Sequence, residues 1–168
     1  MQGKSMTDWP TWFRYQLQAS ADGFVWGLEQ LDSALHEQLP PAPDYMGTWQ
    51  PARHLWHVTE YDRCVAIPSM RQWFGEAMPA GNSWDDSDEA WSQVAAKESE
   101  ELIAAFREVR QAQLDLLDEL VDVDWQRPQT TLWGHKPLAM VVTKTFQHTY
   151  EHGDTLLRMA LWWGTRLG

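Results

Sequence analysis

One stretch of the sequence decides the fold: residues 137–163, PLAMVVTKTFQHTYEHGDTLLRMALWW. Its inward positions recur every three or four residues, which is the period of an amphipathic α-helix. They are Leu138, Val141, Thr145, His148, His152, Leu156, Met159 and Trp163. Pro137 suits the start of this helix, and Gly164 suits the position after its end. The stretch therefore predicts a helix from Pro137 to about Trp163 with two histidines on its buried face.

Three more helical patterns precede this one, separated by stretches rich in Pro, Gly and Asp. They run from about Trp9 to His36, from about Pro51 to Phe74 and from about Asp88 to Leu120. Pro68 should kink the second helix or end it early. We expect no strand. Four amphipathic helices of this length predict an all-α protein, an up-down four-helix bundle that forms one domain over residues 1–168.

The composition indicates a packed globular protein and excludes several classes of partner. Hydrophobic residues make up 43% of the chain, and 12 residues are tryptophan. The formal net charge of −11 repels phosphate backbones and anionic lipid, so we expect no nucleic-acid or membrane partner. No run reaches the roughly 18 to 20 apolar residues of a membrane span, and Met1 to Pro10 lacks a signal-peptide core. We therefore expect a cytoplasmic protein.

The strongest local motif is the pair His148 and His152. A spacing of four residues places the two rings one above the other on a helix, about 40° apart. Two such nitrogens can share one metal ion at about 2.0 to 2.1 Å from each. Because a buried imidazole needs a hydrogen bond or a metal, the alternative is two core histidines that bond to Tyr or Asp neighbours.

A third metal ligand has to come from another helix. His54 and His57 both lie near the inward face of the second helix, and spacing alone does not separate them. His54 is in the first helical turn, where we expect more solvent exposure, and His57 lies deeper. We expect His135 at the surface. His36 falls near the end of the first helix, where a cation suits the helix dipole.

The helix-two and helix-four histidines belong to two strings that together resemble a known family. The string WQPARHLWHVTEY, residues 49–61, followed by HTYEH, residues 148–152, resembles the DinB/YfiT-like superfamily. That resemblance implies a four-helix bundle of a metalloenzyme type, often a homodimer. It also implies three metal ligands: His57, His148 and His152. Many members have Gln three positions after the last histidine, where this chain has Thr155. The best understood branches of the superfamily use low-molecular-weight thiols.

Three neutral ligands leave coordination positions open, as catalytic metal sites do. Zinc and nickel both accept imidazoles, and either ion can lower the pKa of a bound thiol or water. The first hypothesis is an enzyme that transfers a low-molecular-weight thiol, as cosubstrate, to a small electrophilic substrate. Cys64 is not needed for that reaction, because it lies about 10 Å along the helix from His57, and we expect it to pack in the core.

Two other functions remain open. The string HTYEH matches the HxxEH pattern of some metal-dependent hydrolases, in which Glu151 would be the base. Glu151 nevertheless falls in line with Lys144 and Gln147 on a polar strip, which is typical of a solvated face. Glu98 interrupts the apolar face of the third helix and could orient a histidine, or it could mark a boundary; Glu60 is a similar candidate. The third function is a non-catalytic metal-binding module for dimerisation.

Overall fold

The computed structural model describes residues 8–79 and 84–163 and confirms the helical bundle. Its α-helices are α1 (Trp9–Glu29), α2 (Pro43–Met46), α3 (Pro51–Tyr61), α4 (Ile67–Arg71), α5 (Asp88–Ser92), α6 (Ser99–Glu119) and α7 (Leu138–Trp162). Short 3₁₀ turns occupy Ser33–Leu35 and Gln72–Phe74, and a π-helical turn occupies Asp62–Ala66. Two strands, β1 (Pro128–Thr131) and β2 (Gly134–Pro137), precede α7. The expected role of Gly164 lies outside the described residues.

The first helix begins as predicted and ends earlier than predicted. Asp8 caps α1 by accepting a hydrogen bond from the backbone N–H of Thr11 at 3.2 Å. The prediction of a helix to His36 is wrong, because α1 ends at Glu29. The side chain of Asp32 accepts a hydrogen bond from the N–H of Ala34 at 3.0 Å and starts a separate 3₁₀ turn. Such a local side-chain bond competes with continuation of the helix.

The second helical segment continues past Pro68, so of the two expected effects, a kink or an early end, the early end does not occur. Proline cannot donate a backbone hydrogen bond within a helix. The helix widens into a π-helical turn, Asp62–Ala66, just before Pro68. The segment then runs on through α4 and its 3₁₀ turn to Phe74. The π-helical turn carries Asp62 fully inside the bundle, where it pairs with Arg110 of α6 at 2.8 Å.

The third predicted helix is two helices, α5 and α6, with a break between them. Glu98 occupies the position immediately before α6 and is exposed. Its interruption of the apolar pattern therefore marks a helix boundary, which was the simpler of the two interpretations. Ser87 starts α5 by accepting a hydrogen bond from the N–H of Ala90 at 3.2 Å.

The first and last helices run in the same direction. The ring of Phe13, early in α1, lies 6.1 Å from that of Phe146, and Gly27, late in α1, faces Leu156 further along α7. The absence of a side chain at Gly27 allows this close approach, since a Cβ there would lie 3.4 Å from the Cβ of Leu156.

The two middle segments are also parallel to each other. Trp56, near the start of the second segment, and Leu102, near the start of α6, line one cavity. Further along the same two segments, Asp62 pairs with Arg110. The first helix, α1, is antiparallel to α6 of the third segment, since Arg14 near the start of α1 pairs with Asp118 near the end of α6. The order of the bundle is therefore up-down-down-up, and the long connection after Phe74 returns the chain to the end of the bundle where the second segment began.

A β-hairpin corrects the expectation that the chain has no strand. β1 and β2 pair antiparallel, with Gln129 opposite Lys136. Gly134 adopts a φ of +86°, and the Thr131 hydroxyl donates to its carbonyl oxygen at 2.8 Å. The strands are only four residues long and mostly exposed, so they have no hydrophobic alternation that the sequence could reveal. Within the described ranges, no helix combines the length and apolar character that crossing a bilayer requires.

Candidate metal centre

Three of the predicted residues meet in the core of the bundle. His57 projects from α3, and His148 and His152 project from α7, which runs antiparallel to α3. The Nε2 atom of His148 lies 3.2 Å from Nε2 of His57 and 3.2 Å from Nε2 of His152. One ligand atom from each ring lies within 4.8 Å of the other two. The structure therefore brings together the three histidines that the family resemblance implied.

The spacing of these nitrogens fits a shared ion better than a set of hydrogen bonds. Two nitrogens on a tetrahedral ion, each at about 2.0 to 2.1 Å from it, lie roughly 3.3 Å apart. The Nε2 atom of a neutral imidazole has either one lone pair or one N–H. His148 therefore cannot form two good hydrogen bonds with the two Nε2 atoms beside it. Three imidazole nitrogens this close together match the donor set of a divalent ion that accepts imidazoles.

Burial keeps all three imidazoles neutral. Desolvation lowers the pKa of His57 to about 4, with the positive charge of Arg53 as a further cause. Desolvation, followed by the neighbouring His152, lowers the pKa of His148 to about 2. The pKa of His152 falls to about 3, again mainly through desolvation and then through His57. Neutral rings present the free lone pairs that a metal ion needs.

His54 contacts the outer nitrogen of His152, the one that does not face the other two histidines. Its Nδ1 lies 2.7 Å from Nδ1 of His152, on the opposite side of the His152 ring from the shared point. If Nε2 of His152 presents its lone pair to that point, its Nδ1 carries the hydrogen and donates it to His54. The expectation that His54 is exposed is wrong: it is only 5% exposed. The first turn of α3 is covered because Ala52 donates a backbone hydrogen bond to the His36 carbonyl, which brings the preceding loop over it.

The outer nitrogen of His57 faces a carboxylate. Nδ1 of His57 lies 3.9 Å from Oδ2 of Asp86, which precedes α5. Arg53, one turn before His57, holds this segment by donating a hydrogen bond to the Asp86 carbonyl at 2.9 Å. The outer nitrogen of His148 is buried, and no described residue offers it a hydrogen bond.

Aromatic side chains form the walls around the histidines. The Trp49 ring lies 4.7 Å from that of His57 and is nearly parallel to that of His152, 6.0 Å away. The Trp84 ring lies 4.6 Å from that of His57, and the Tyr61 ring 4.1 Å from that of His148. Burial raises the pKa of Tyr61, whose hydroxyl has no partner among residues 8–79 and 84–163. These walls shield the cluster from water.

Sequence reasoning assigned no role to these walls. Trp49 stands at the start of the string that resembles the superfamily, where its spacing indicates no role. Trp84 lies on the connection before α5, outside any periodic pattern, so no signal could have identified it. Tyr61 falls on the inward face of α3, where an aromatic residue predicts only core packing.

The other two histidines lie away from the cluster. His135 is exposed on β2, as expected for a surface residue. His36 is buried, so the interpretation as a helix-end cation is wrong. Its Nε2 donates to the Leu28 carbonyl at 3.1 Å, and the Ser99 hydroxyl lies 2.8 Å from its Nδ1. Burial lowers the pKa of His36, which favours the neutral ring.

The acidic candidates also lie outside the cluster. Glu151 is exposed beside Gln147 and lies 3.7 Å from the Lys144 ammonium, so it occupies the solvated strip that the sequence indicated. Glu60 pairs with Arg63. Cys64 is half-buried with its Sγ 3.9 Å from Glu60, and it packs beside the Tyr61 side of the core, as expected. The group of potential ligands found among the described residues consists of histidines alone.

Comparisons with known proteins agree with this architecture. The family model of the DinB superfamily matches residues 16–156. A solved structure of a mutant mycothiol-dependent maleylpyruvate isomerase is similar in fold, with a TM-score of 0.61 and 16% sequence identity. The match covers 90% of this chain and 63% of that chain, so this chain spans less than two thirds of the isomerase. No curated protein matches the chain.

Proposed function

The chain belongs to the DinB superfamily, and we propose that it is a metal-dependent enzyme that transfers a low-molecular-weight thiol to a small electrophilic substrate. The observation that carries this proposal is the cluster of three imidazole nitrogens, in which Nε2 of His148 lies 3.2 Å from Nε2 of both His57 and His152 and all three lie within 4.8 Å of one another. Three protein ligands leave a position for a further ligand, as in catalytic sites. The similarity to a thiol-dependent isomerase supports a thiol as that ligand.

The residues around the cluster have distinct tasks in this reaction. His57, His148 and His152 would hold zinc or nickel, and His54 would keep the His152 ring in place through its 2.7 Å contact. A divalent ion supplies a lowered thiol pKa, so that the cosubstrate reacts as a thiolate near neutral pH. Trp49, Trp84 and Tyr61 exclude water from the sides of the cluster.

The chemical step requires no nucleophile from the protein. The cosubstrate sulfur forms a bond to the electrophilic carbon, and the leaving group departs with its electron pair. The proton of the thiol passes to solvent. Cys64 stays outside the reaction, since it is not part of the ligand group and burial raises the pKa of its thiol. Hydrolysis is less well supported, because Glu151 pairs with Lys144 on the exposed face.

Metal analysis tests the first half of the proposal. Protein purified without a histidine tag should contain about one divalent ion per chain, and the double variant His148→Ala, His152→Ala should contain none. His135→Ala is the matched control, because it removes an exposed histidine away from the cluster. Normal metal content in the double variant would disprove the site.

Thiol dependence tests the second half. The metal-loaded protein should conjugate the electrophile monochlorobimane with at least one of bacillithiol, mycothiol and glutathione, and the double histidine variant should not. Turnover of ester or amide substrates without any thiol would favour a hydrolase. A metal-loaded protein that is inactive in both assays would leave a binding module as the better description.

A further inference from the structure

Arg53 is a buried arginine on α3, one turn before His57, and its guanidinium makes three contacts. It donates a hydrogen bond to the Asp86 carbonyl at 2.9 Å and another to the Asp88 carboxylate at 2.5 Å. Its central carbon lies 4.6 Å from the centre of the Trp49 ring, in a cation–π contact. A buried charge is costly unless contacts of this kind compensate it. Arg53 therefore ties α3 to the connection that leads to α5.

The segment that Arg53 holds contacts His57 at two points. The Trp84 ring lies 4.6 Å from the His57 ring, and the Asp86 carboxylate lies 3.9 Å from Nδ1 of His57. Arg53 binds the same segment at residues 86 and 88 through two nitrogens of one planar guanidinium. The position of the segment over His57 therefore depends on a side chain from the same helix as His57.

The outer nitrogen of His57 requires a partner when its Nε2 faces the other two histidines. This Nδ1 is buried, and no hydrogen bond reaches it from residues 8–79 and 84–163. The Asp86 carboxylate is the acidic group within 4.0 Å of it, but 3.9 Å is longer than a hydrogen bond. The carboxylate can therefore orient the ring only if other contacts hold it nearby. The main-chain hydrogen bond from Arg53 to Asp86 supplies that restraint.

We infer that Arg53 is a positioning residue for the metal centre: it holds the Asp86 carboxylate beside the outer nitrogen of His57 and so fixes the orientation of that ring. The inference rests on the proposed function, since it concerns a ligand of the same metal ion. A carboxylate beside the outer N–H of a ligating histidine keeps the ring in one tautomer and raises its basicity. Loss of such a partner weakens metal affinity by about 10- to 100-fold. We expect the lower end of that range, because Asp86 is half exposed.

Zinc affinity and the cobalt spectrum test the inference without requiring turnover. Arg53→Met keeps an apolar stem and removes the guanidinium, so it should weaken zinc affinity about tenfold and change the visible absorption of the cobalt-substituted protein. Arg53→Lys should recover little of the affinity, because an ammonium lacks the planar fork that reaches Asp86 and Asp88 together. Unchanged zinc affinity and an unchanged cobalt spectrum in Arg53→Met would overturn the inference.

The coupling between Arg53 and Asp86 separates positioning from general bracing. Asp86→Ala removes the carboxylate and keeps the main-chain carbonyl that Arg53 binds, and it should also weaken zinc affinity about tenfold. The double variant with Arg53→Met should be no more than about twofold weaker than either single variant, because both changes remove one contact. Losses that add to about a hundredfold would overturn the inference, because Arg53 would then act independently of Asp86.

A second arginine provides the matched control. Arg14 also donates to a main-chain carbonyl, that of Leu114 at 2.9 Å, and pairs with a carboxylate, Asp118, on another helix. Arg14→Met should keep the zinc affinity and the cobalt spectrum of the wild type, whatever its effect on urea unfolding. A tenfold loss of affinity in this control would assign the effect to general packing and overturn the inference. If Arg53→Met does not fold, wild-type zinc affinity in Asp86→Ala overturns it equally.

The outcomes for the inference and for the proposed function can be distinguished. A wild-type protein that binds zinc and transfers no thiol would refute the proposed function, while a tenfold loss of affinity in Arg53→Met would still support the inference. A thiol transferase with wild-type zinc affinity in both Arg53→Met and Asp86→Ala would refute the inference alone. A wild-type protein that binds no divalent ion would refute both.

Discussion

Replacement of His54 tests how the proposed site would hold a metal ion. In the structure His54 contacts the outer nitrogen of His152 at 2.7 Å and is buried, so it would support a proposed ligand without being one. Loss of the outer partner of a ligating histidine weakens metal affinity by about 10- to 100-fold, or about 1.4 to 2.7 kcal/mol. We therefore expect that loss for His54→Ala. His57→Ala removes a ligand itself and should weaken affinity well beyond 100-fold.

The assay is competition for zinc against a chromophoric chelator, together with the visible absorption of the cobalt-substituted protein. His54→Gln should recover part of the affinity, because its amide oxygen can accept the hydrogen bond from Nδ1 of His152. The cobalt spectrum of His54→Ala should still indicate three nitrogen ligands. His135→Ala provides the control for loss of a histidine elsewhere, and unfolding of the metal-free variants reports any general loss of packing.

Two outcomes would refute this reasoning. Wild-type zinc affinity in His54→Ala would show that the 2.7 Å contact has no part in metal binding. A loss as large as that of His57→Ala, with a changed cobalt spectrum, would make His54 a ligand and restore the alternative that spacing alone left open.

Three further predictions concern stability. Arg110→Met leaves the buried carboxylate of Asp62 without its partner and should cost about 3 to 5 kcal/mol in urea unfolding; an unchanged free energy would show that the pair is not buried as described. Burial lowers the pKa of His36 from its ordinary 6.5, so unfolding takes up a proton below that pH and stability falls as the pH drops. His36→Gln should remove up to about 1.4 kcal/mol per pH unit of this slope below pH 6.5, and an identical slope would contradict it. Gly23→Ala, where a Cβ meets no atom within 4 Å, should stabilise α1 by about 0.5 to 1 kcal/mol and raise Tm by about 2 °C, whereas a lower Tm would indicate an unseen contact.

The helical bundle and the pair His148 and His152 could be predicted because both depend on local periodicity, whereas His57 was implied by the family resemblance. The inward spacing of His148 and His152 requires only a continuous helix, which α7 is from Leu138 to Trp162. Helix ends and breaks were harder, since they depend on single side chains. Asp32 starts a separate turn after the first helix by accepting a hydrogen bond from the N–H of Ala34. Glu98 interrupts the apolar pattern of the third segment, but that interruption alone does not distinguish a helix break from a polar residue within one helix.

The surroundings of the cluster depend on tertiary structure and could not be predicted. His54 is buried because the loop from His36 bonds to the start of α3, a contact between residues 16 positions apart in the chain. The parallel course of the two middle segments follows from a long connection whose path has no local signal. The position of Trp84 beside His57 is a consequence of that path.

The site has two parts with different capacities for change. The three histidines stand on α3 and α7, where the packing of the whole bundle fixes their positions. Trp84, by contrast, belongs to a connection between helical segments, and such connections accept substitution and insertion at little cost in stability. Protein engineering can therefore replace Trp84 to alter which molecules would reach the histidines, provided that Asp86, which faces His57, is kept. The same division would allow a change of substrate through one position of a loop without any change in the three histidines.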